Sequence, residues 1–174
     1  MKDNYDISSL KKKKKVNSRA KGSTFERGIA KTLNDRFNTS EFSRTPGSGA
    51  FATTHTLPDH LKIYGDLITP QTFKYCIECK KGYNNINLYS IYNYSSDIWK
   101  FIDQCEKDSE KCYKLPMVIF KQDRQPTLAI VSYSPTSPLM ENTDKAIQII
   151  KEGKAYRIYL FDELLTEGDS FWFD

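Results

Sequence analysis

Residues 65–80 read GDLITPQTFKYCIECK, two apolar runs on either side of a proline-containing turn. Alternating β-branched and aromatic residues around such a turn predict a β-hairpin. Antiparallel pairing would bring Asp66 opposite residues 76–78. Because side chains alternate along a strand, Glu78 and Lys80 would lie on one face, so two carboxylates and one ammonium group are expected to meet. The predicted strands are 65–69 and 73–80, joined by a turn at 70–72.

This predicted cluster has the chemistry of a metal-dependent phosphodiester hydrolase. Two carboxylates suit Mg²⁺, which polarises a phosphoryl oxygen and lowers the pKa of a bound water. A lysine beside that water can orient it and offset the charge that builds on the phosphate. The alternative is structural, because an exposed Glu-x-Lys triplet is commonly a surface ion pair contributing under ~1 kcal/mol. The combination with Asp66 and with an upstream helix that carries Glu26 favours catalysis.

The rest of the chain alternates predicted helices and strands. Ser23 and Glu26 have the spacing of a capping box, and an apolar stripe at helical spacing follows them. A second helix is predicted from Ser96 or Asp97, since apolar residues recur at helical spacing as far as Cys105. The pattern predicts a single α/β (α+β) domain with a mixed sheet. Further predicted elements are a loop at 45–64, strands at 115–121, 127–133 and 155–161, and a short helix at 144–152 ended by Gly153.

Four ordered motifs carry a family resemblance. They are Lys21-Gly22-Ser23-Thr24-Phe25-Glu26-Arg27, Ser43-Arg44-Thr45-Pro46-Gly47-Ser48-Gly49, Gly65-Asp66-Leu67-Ile68 and Ile77-Glu78-Cys79-Lys80. In this order they resemble the PD-(D/E)xK nuclease superfamily and, within it, the archaeal-type Holliday junction resolvases and their phage-encoded relatives. The resemblance spans about residues 21–133, because 115–120 and 128–132 look like that family's next two strands. It implies a restriction-endonuclease-like core, a central mixed β-sheet flanked by helices.

The resemblance implies roles for the matching residues. Asp66 and Glu78 resemble the metal-binding carboxylates, and Lys80 resembles the catalytic lysine. Glu26 resembles the first-helix acid that completes the metal site, and the backbone carbonyl of Cys79 is a further expected ligand. Glu26 also has a structural alternative as the capping-box glutamate, and the two roles are compatible. The implied cofactor is Mg²⁺, with Mn²⁺ as a substitute.

Basic and polar residues near these motifs are the expected DNA contacts. Arg27 and Arg44 resemble family residues that hold phosphate near the cut. Ser48 occupies the place of a loop serine near the active site. Lys21, the first residue of the first motif, and Lys81, directly after the last motif, complete the expected DNA-binding set.

The predicted loop departs from the family pattern. Its Pro58-Asp59 dipeptide matches the superfamily's name literally, but it lies beside His55 and His60, whereas Asp66 directly precedes an apolar strand. We therefore assign the motif aspartate to Asp66; a metal or proton-transfer role for the histidines stays an alternative. The 21 residues between Arg44 and Asp66 also make the loop longer than in compact archaeal members.

The 174 residues carry a formal net charge of +4 that is unevenly divided. Residues 1–22, with five consecutive lysines at 11–15, sum to +6, residues 161–174 to −5, and the segment between them to +3. The lysine-rich start predicts a solvated arm that can hold phosphates or act as a localisation signal. The predicted organisation is a flexible basic arm at 1–20 and a single nuclease domain at 21–174 with an acidic aromatic tail.

Composition disfavours several classes of protein. At 39% hydrophobic and 13% aromatic residues the chain can form a core, so wholesale disorder is not expected. No apolar run approaches the ~20 residues of a membrane span, and the lysine-rich start has no apolar signal segment. Four cysteines do not make a disulfide framework, and Cys76 and Cys79 would face opposite sides of a strand and could not chelate one zinc. We expect an intracellular, DNA-associated protein, in the cytoplasm of a prokaryotic or phage-infected cell.

Two aromatic segments leave alternatives open. The tyrosines that follow Lys80-Lys81 could stack on unpaired bases, line a dimer contact or pack as ordinary loop residues. Phe171-Trp172-Phe173, beside acidic residues, could dock on the body, on a second subunit or on a protein partner. The tyrosines are Tyr83, Tyr89, Tyr92 and Tyr94.

The leading hypothesis is a Mg²⁺-dependent, structure-selective DNA endonuclease that resolves four-way junctions by paired phosphodiester hydrolysis. A two-fold symmetric junction needs two opposed nicks, so branched DNA is the expected substrate and a homodimer the expected assembly. One alternative is a restriction-like, repair or nicking endonuclease of the same superfamily that acts on duplex DNA. Another is a non-catalytic DNA- or partner-binding module.

Overall fold

The structure is a computed structural model that describes residues 18–46, 64–134 and 145–174. None of the helices in these ranges is long and apolar enough to cross a membrane. The helices are α1 (Ser18–Phe37), α2 (Leu88–Tyr92), α3 (Asp97–Cys112), α4 (Phe161–Leu164) and α5 (Asp169–Trp172). The strands are β1 (Ser43–Arg44), β2 (Leu67–Ile68), β3 (Tyr75–Lys81), β4 (Leu115–Lys121), β5 (Leu128–Tyr133), β6 (Ile147–Lys151) and β7 (Lys154–Leu160).

A five-stranded sheet forms the centre of the fold, in the order β3-β4-β5-β7-β6. Strands β3 and β4 are parallel and are connected through α3, because a parallel pair needs a crossover. The other neighbours are antiparallel. Helix α1 packs in the core on one face and α3 in the core on the other. This mixed sheet flanked by helices confirms the predicted fold class, and it makes β3 an edge strand.

Helix α1 buries the apolar stripe predicted from the sequence, with Leu33 fully enclosed. The predicted helix start at Ser23 is wrong, because within the described residues the helix extends back to Ser18. The Ser23 hydroxyl donates to the Ala20 carbonyl at 3.3 Å, an i−3 contact inside a helix. Glu26 is therefore an interior helix residue, and its alternative as a capping-box glutamate is wrong.

Helix α3 begins where the sequence predicts. Ser96 is its N-cap, and the Ser96 hydroxyl accepts a hydrogen bond from the Ile98 N–H at 3.3 Å. Tyr113 ends the helix in the left-handed conformation, with φ 57°. Because α3 connects the carboxyl end of β3 to the start of a parallel strand, its first turns lie near the carboxyl end of β3. Phe101 of this helix accordingly lies next to Lys80.

The predicted helix at 144–152 is wrong, because residues 147–151 form strand β6, antiparallel to β7. Glu152 and Gly153 both have positive φ, 51° and 79°, as a two-residue type I′ hairpin turn requires. Gly153 thus serves a turn between strands and not a helix end. The β-branched isoleucines of β6 favour the extended conformation.

The predicted hairpin pairing within residues 65–80 is wrong in part. Strand β2 forms a two-stranded antiparallel ladder with β1 and not with β3. Asp66 nevertheless reaches β3, where its N–H donates to the Ile77 carbonyl at 2.8 Å. This contact is in the register that the sequence predicts. The partner β1 is separated from Asp66 by 21 residues of sequence, so sequence spacing gave no signal for it.

The C-terminal tail packs on the body of the same chain. Trp172 is completely buried, and its carbonyl accepts a hydrogen bond from the Lys74 N–H at 2.8 Å. Phe173 forms an antiparallel bridge with Phe73. Arg36 of α1 donates to two backbone carbonyls of the tail at 2.7 and 2.9 Å. The alternatives for Phe171-Trp172-Phe173 were docking on the body, on a second subunit or on a protein partner. In the structure the segment docks on the body.

Candidate active site

Strand β3 brings Glu78 and Lys80 together at the edge of the sheet. Glu78 is only 2% exposed, and the Lys80 ammonium donates to its Oε1 atom. The same ammonium lies 3.4 Å from Oε1 of Gln104 and 5.6 Å from the centre of the Phe101 ring, both on α3. Residues two apart on a strand share a face, so the predicted pairing of Glu78 with Lys80 follows directly from the strand.

Asp66 reaches the same strand from outside the sheet. Its Oδ2 atom accepts a hydrogen bond from the Cys79 N–H at 2.8 Å. The N–H and C=O of one strand residue point to the same side, so the Cys79 carbonyl also lies on the edge of β3 that faces Asp66. Asp66, Glu78 and this carbonyl are three of the four predicted metal ligands.

Gly65 allows this approach, a role that the sequence analysis did not assign. It has φ +76°, and a Cβ at this position would lie 2.8 Å from the Ile77 carbonyl and 3.0 Å from the Cys76 sulfur. Any other residue would therefore push Asp66 away from β3. The signal available in the sequence was a glycine directly before the motif aspartate.

The pKa values of Glu78 and Lys80 are shifted because Glu78 is buried and lies near a second carboxylate, that of Asp66. Burial, and to a smaller extent the charge of Asp66, raise the pKa of Glu78 to about 7 against the opposing charge and hydrogen bond of Lys80. Burial works to lower the pKa of Lys80, but the charge and hydrogen bond of Glu78 outweigh it, so this pKa is raised. The ammonium therefore stays protonated while Glu78 titrates near neutral pH.

Glu26 lies close to this group but is paired with Arg44. The Arg44 guanidinium donates through Nε to Oε2 of Glu26, which is buried. Burial raises the pKa of the Cys79 thiol well above its usual value, and the charges of Asp66, Glu78 and Glu26 raise it further. All three predicted acids thus surround one side chain of β3. Glu26, the predicted metal ligand, is thus paired with Arg44, the predicted phosphate contact.

The chemistry of this donor set fits a hard divalent cation. Asp66 raises the pKa of Glu78, so a cation between the two carboxylates would relieve their repulsion, and oxygen ligands are those that Mg²⁺ and Mn²⁺ prefer. Within the ranges 18–46, 64–134 and 145–174, no three His, Cys, Asp or Glu side chains are grouped closely enough to hold a metal ion. The structure therefore brings Asp66 and Glu78 together and leaves Glu26 on Arg44.

Three of the predicted DNA contacts, Lys21, Arg27 and Lys81, lie on α1 and at the end of β3. Lys21 pairs with Asp123 at 2.5 Å, and Lys81 lies 5.7 Å from the Phe25 ring centre. Arg27 is exposed on α1 and donates to Thr24 Oγ1 at 3.4 Å. Ser48, Pro58-Asp59, His55 and His60 lie outside the described residues.

The cysteines behave as the strand pattern predicts. Cys79 packs in the core on the α1 side of the sheet. Burial raises the pKa of the Cys76 thiol, and the charges of Cys105 and Cys112 raise it further, which puts Cys76 on the α3 side. Cys76 and Cys79 therefore face opposite sides of β3, as predicted, and could not chelate one zinc ion.

Residues 17–171 match a protein family described as "Phage putative PDDEXK endonuclease". The chain belongs to this family of phage endonucleases. The match covers most of the chain and confirms the predicted PD-(D/E)xK superfamily. Nucleases of the PD-(D/E)xK type generally use divalent metals, in agreement with the oxygen-rich site on β3.

A curated relative of this phage PDDEXK endonuclease is Protein D14 of Escherichia phage T5. It is 30% identical over 151 residues, which cover 83% of the present chain and 88% of Protein D14. No solved structure gives a significant match to the chain.

Proposed function

We propose that this phage PDDEXK endonuclease is a Mg²⁺-dependent, structure-selective enzyme that resolves four-way DNA junctions by paired nicks. The contact of Asp66 with the backbone of β3, beside the buried Glu78–Lys80 pair, carries the proposal. The motif order that resembles the archaeal-type resolvases supports the junction as substrate. Membership of the chain in a family of phage endonucleases supports hydrolysis of nucleic acid.

In this proposal each residue has a defined task at the scissile phosphate. Asp66, Glu78 and the Cys79 carbonyl hold the metal, which when bound supplies Lewis-acid activation of the phosphate and of a water. Lys80, kept protonated beside Glu78, donates a hydrogen bond to the attacking oxygen and offsets charge on the phosphate. Glu26 completes the metal site once Arg44 turns to a phosphate.

Arg27, Lys21 and Lys81 form a second set, which holds the neighbouring phosphates. Such contacts set register and affinity without reading sequence. Phosphate contacts are enough to recognise a substrate by its shape, because the shape of a four-way junction is defined by the paths of its phosphate backbones.

A homodimer belongs to the proposal because a junction needs two opposed cuts. Strand β6 supports it, since it lies at the edge of the sheet opposite β3 and exposes Ile147 and Ile150. An edge strand presents backbone N–H and C=O groups to another chain. Sedimentation of the purified protein with and without junction DNA tests this part.

The decisive assay compares a labelled four-way junction with linear duplex of the same sequence, each with Mg²⁺, Mn²⁺ or EDTA. We expect symmetric nicks in the junction only, with Mg²⁺ or Mn²⁺ and not with EDTA. Equal cutting of the linear duplex would point instead to a restriction-like, repair or nicking enzyme. Junction binding without cutting in any metal would favour the binding module.

A further inference from the structure

Five exposed side chains cluster on the segment that leaves the candidate site, and we call them the tyrosine face. They lie on α2 and its two flanking turns and are 43–85% exposed. Large apolar side chains on a surface mark contact sites when they are grouped. The tyrosine face consists of Tyr83, Leu88, Tyr89, Tyr92 and Tyr94.

The tyrosine face begins at the site itself. The Tyr83 ring contacts the Phe101 ring with centroids 4.7 Å apart, and the Lys80 ammonium lies 5.6 Å from the same Phe101 ring. Lys80 and Tyr83 are three positions apart in the chain, so their Cα atoms are at most about 11 Å apart. A DNA strand that leaves the scissile phosphate over Lys80 would therefore meet Tyr83 within one or two nucleotides.

The rest of the face is held in place before any ligand arrives. Asn87 and Ser90 form a reciprocal capping box at the start of α2, with both bonds 3.0 Å long. The Ser96 N–H donates to the Ser90 carbonyl at 2.9 Å, and the Trp99 indole donates to the Ile91 carbonyl at 3.3 Å. Rings on a fixed helix lose little freedom on binding, which favours stacking.

The charge around the face suits a nucleic acid strand. Residues 80–96 contain two lysines, four tyrosines and four asparagines, but no aspartate or glutamate. This segment itself contributes only positive charge, which attracts phosphates, and tyrosine rings stack on bases of any sequence. Asp123 lies beside it, where it accepts a hydrogen bond from Asn84 and pairs with Lys21. A stable protein–protein interface has an apolar centre, whereas here asparagine and serine separate the rings.

We propose that the tyrosine face binds the unpaired nucleotides that leave the cut, by stacking bases on Tyr83, Tyr89 and Tyr92. The inference rests on the proposed function, because it assigns this surface to the substrate of the same site. It requires that bases next to the scissile phosphate become unpaired when the enzyme binds the branch point, since the arms of a four-way junction are otherwise paired. Linear duplex offers no such bases, so the face adds selectivity that the phosphate contacts alone do not give.

The test measures binding of a fluorescein-labelled dT12 oligonucleotide by anisotropy, in EDTA so that no cutting occurs. Tyr89→Ala/Tyr92→Ala should weaken binding by about tenfold for each ring removed. Tyr89→Phe/Tyr92→Phe should bind like the wild type, because stacking needs the ring and not the hydroxyl. Tyr113→Ala is the matched control, since Tyr113 is 96% exposed at the other end of α3.

Three results would overturn the inference. They are equal binding by the wild type and the alanine pair, equal weakening by Tyr113→Ala, and weaker binding in step with a lower sedimentation mass. The last would make the face a dimer contact. Failure of the proposed function is distinguishable from failure of this inference. A protein that binds dT12 through these rings but never cuts a junction would support the tyrosine face and overturn the resolvase proposal.

Discussion

The Asp66 carboxylate accepts a hydrogen bond from the Cys79 N–H at 2.8 Å. A side chain therefore occupies the outer edge of β3, where a neighbouring strand would otherwise pair. The Asp66 N–H, donating to the Ile77 carbonyl at 2.8 Å, fixes the backbone there as well. Asp66 thus both fixes its segment against β3 and supplies a negative charge to the site. A substitution that keeps the hydrogen bond and removes the charge can separate these two roles.

Asp66→Asn should stop cutting and preserve the fold. The amide oxygen can still accept from the Cys79 N–H, but the metal loses a charged ligand. We expect junction cutting to fall about 1,000-fold, with Mg²⁺ binding by calorimetry weakened and the melting temperature within about 2 °C of the wild type. Asp162→Asn, at an exposed acid on α4, is the control. Wild-type cutting by Asp66→Asn would remove Asp66 from the metal site.

The pKa of Glu78 predicts how stability depends on pH. It is about 7 in the fold against an ordinary 4.5, so between these values the folded state holds more protons than the unfolded chain. The free energy of unfolding should therefore fall as pH rises from about 4.5 to about 7. Glu78→Gln should flatten this part of the curve, as measured by urea unfolding in EDTA. Identical pH slopes for both proteins would contradict the burial argument.

Protons and metal should compete for Glu78. Below pH 7 the carboxyl is mostly protonated, so Mg²⁺ affinity should drop by up to about tenfold per pH unit, and binding should release protons. Calorimetry in two buffers of different ionisation enthalpy measures that release. Removal of metal by EDTA should abolish cutting, and added Mg²⁺ should restore it. Mg²⁺ affinity that is constant from pH 6 to 8 would show that Glu78 is not a ligand.

Deletion of residues 1–16 should weaken DNA binding and leave the chemistry unchanged. This cut keeps all of α1 as the structure describes it, from Ser18, which a deletion of 1–20 would shorten. The plot of log affinity against log salt should become shallower by about one unit for each phosphate that the arm had neutralised. Metal-dependent cutting at saturating DNA should not change. Replacement of the five lysines at 11–15 by glutamine should match the deletion, and an unaltered salt slope in both would exclude the arm from DNA binding.

Trp172 should be a major support of the fold. Its side chain is completely buried among aromatic rings of α1 and β3, so Trp172→Ala should cost about 3–5 kcal/mol of unfolding free energy. Its indole N–H has no hydrogen-bond partner within the described ranges. Trp172→Phe removes that buried donor and keeps a ring, so it should cost much less. Equal losses for the two variants would show that the ring contacts do not support the tail.

The sequence predicted those parts of the fold whose signals are local. Strands β4 and β5 and the N-cap of α3 at Ser96 have strong alternating or helical patterns, and each lies within a residue of its predicted place. The segment at 147–151 was ambiguous, because a short run rich in isoleucine before a glycine fits either a helix end or a strand before a tight turn. Antiparallel pairing with β7 makes this segment a strand, and the local sequence pattern gives no sign of that pairing.

The candidate site divides in the same way. Glu78 and Lys80 are two apart on one strand, so their pairing could be read from the sequence. The hydrogen bond from Cys79 to Asp66 depends on Gly65 and on the backbone path before β3. The pairing of Glu26 with Arg44 joins a helix to a two-residue strand, and no spacing rule predicts such a contact.

The β1–β2 ladder has a consequence for how this enzyme can diversify. The Thr45 N–H donates to the Asp66 carbonyl at 2.9 Å, so the described residues on either side of the segment between Pro46 and Tyr64 are fixed to one another. Closing a longer loop across fixed ends costs only about 0.6 kcal/mol per doubling of length. We therefore expect residues inserted between Pro46 and Tyr64 to leave the position of Asp66 unchanged. That segment is the position at which we would insert designed specificity elements.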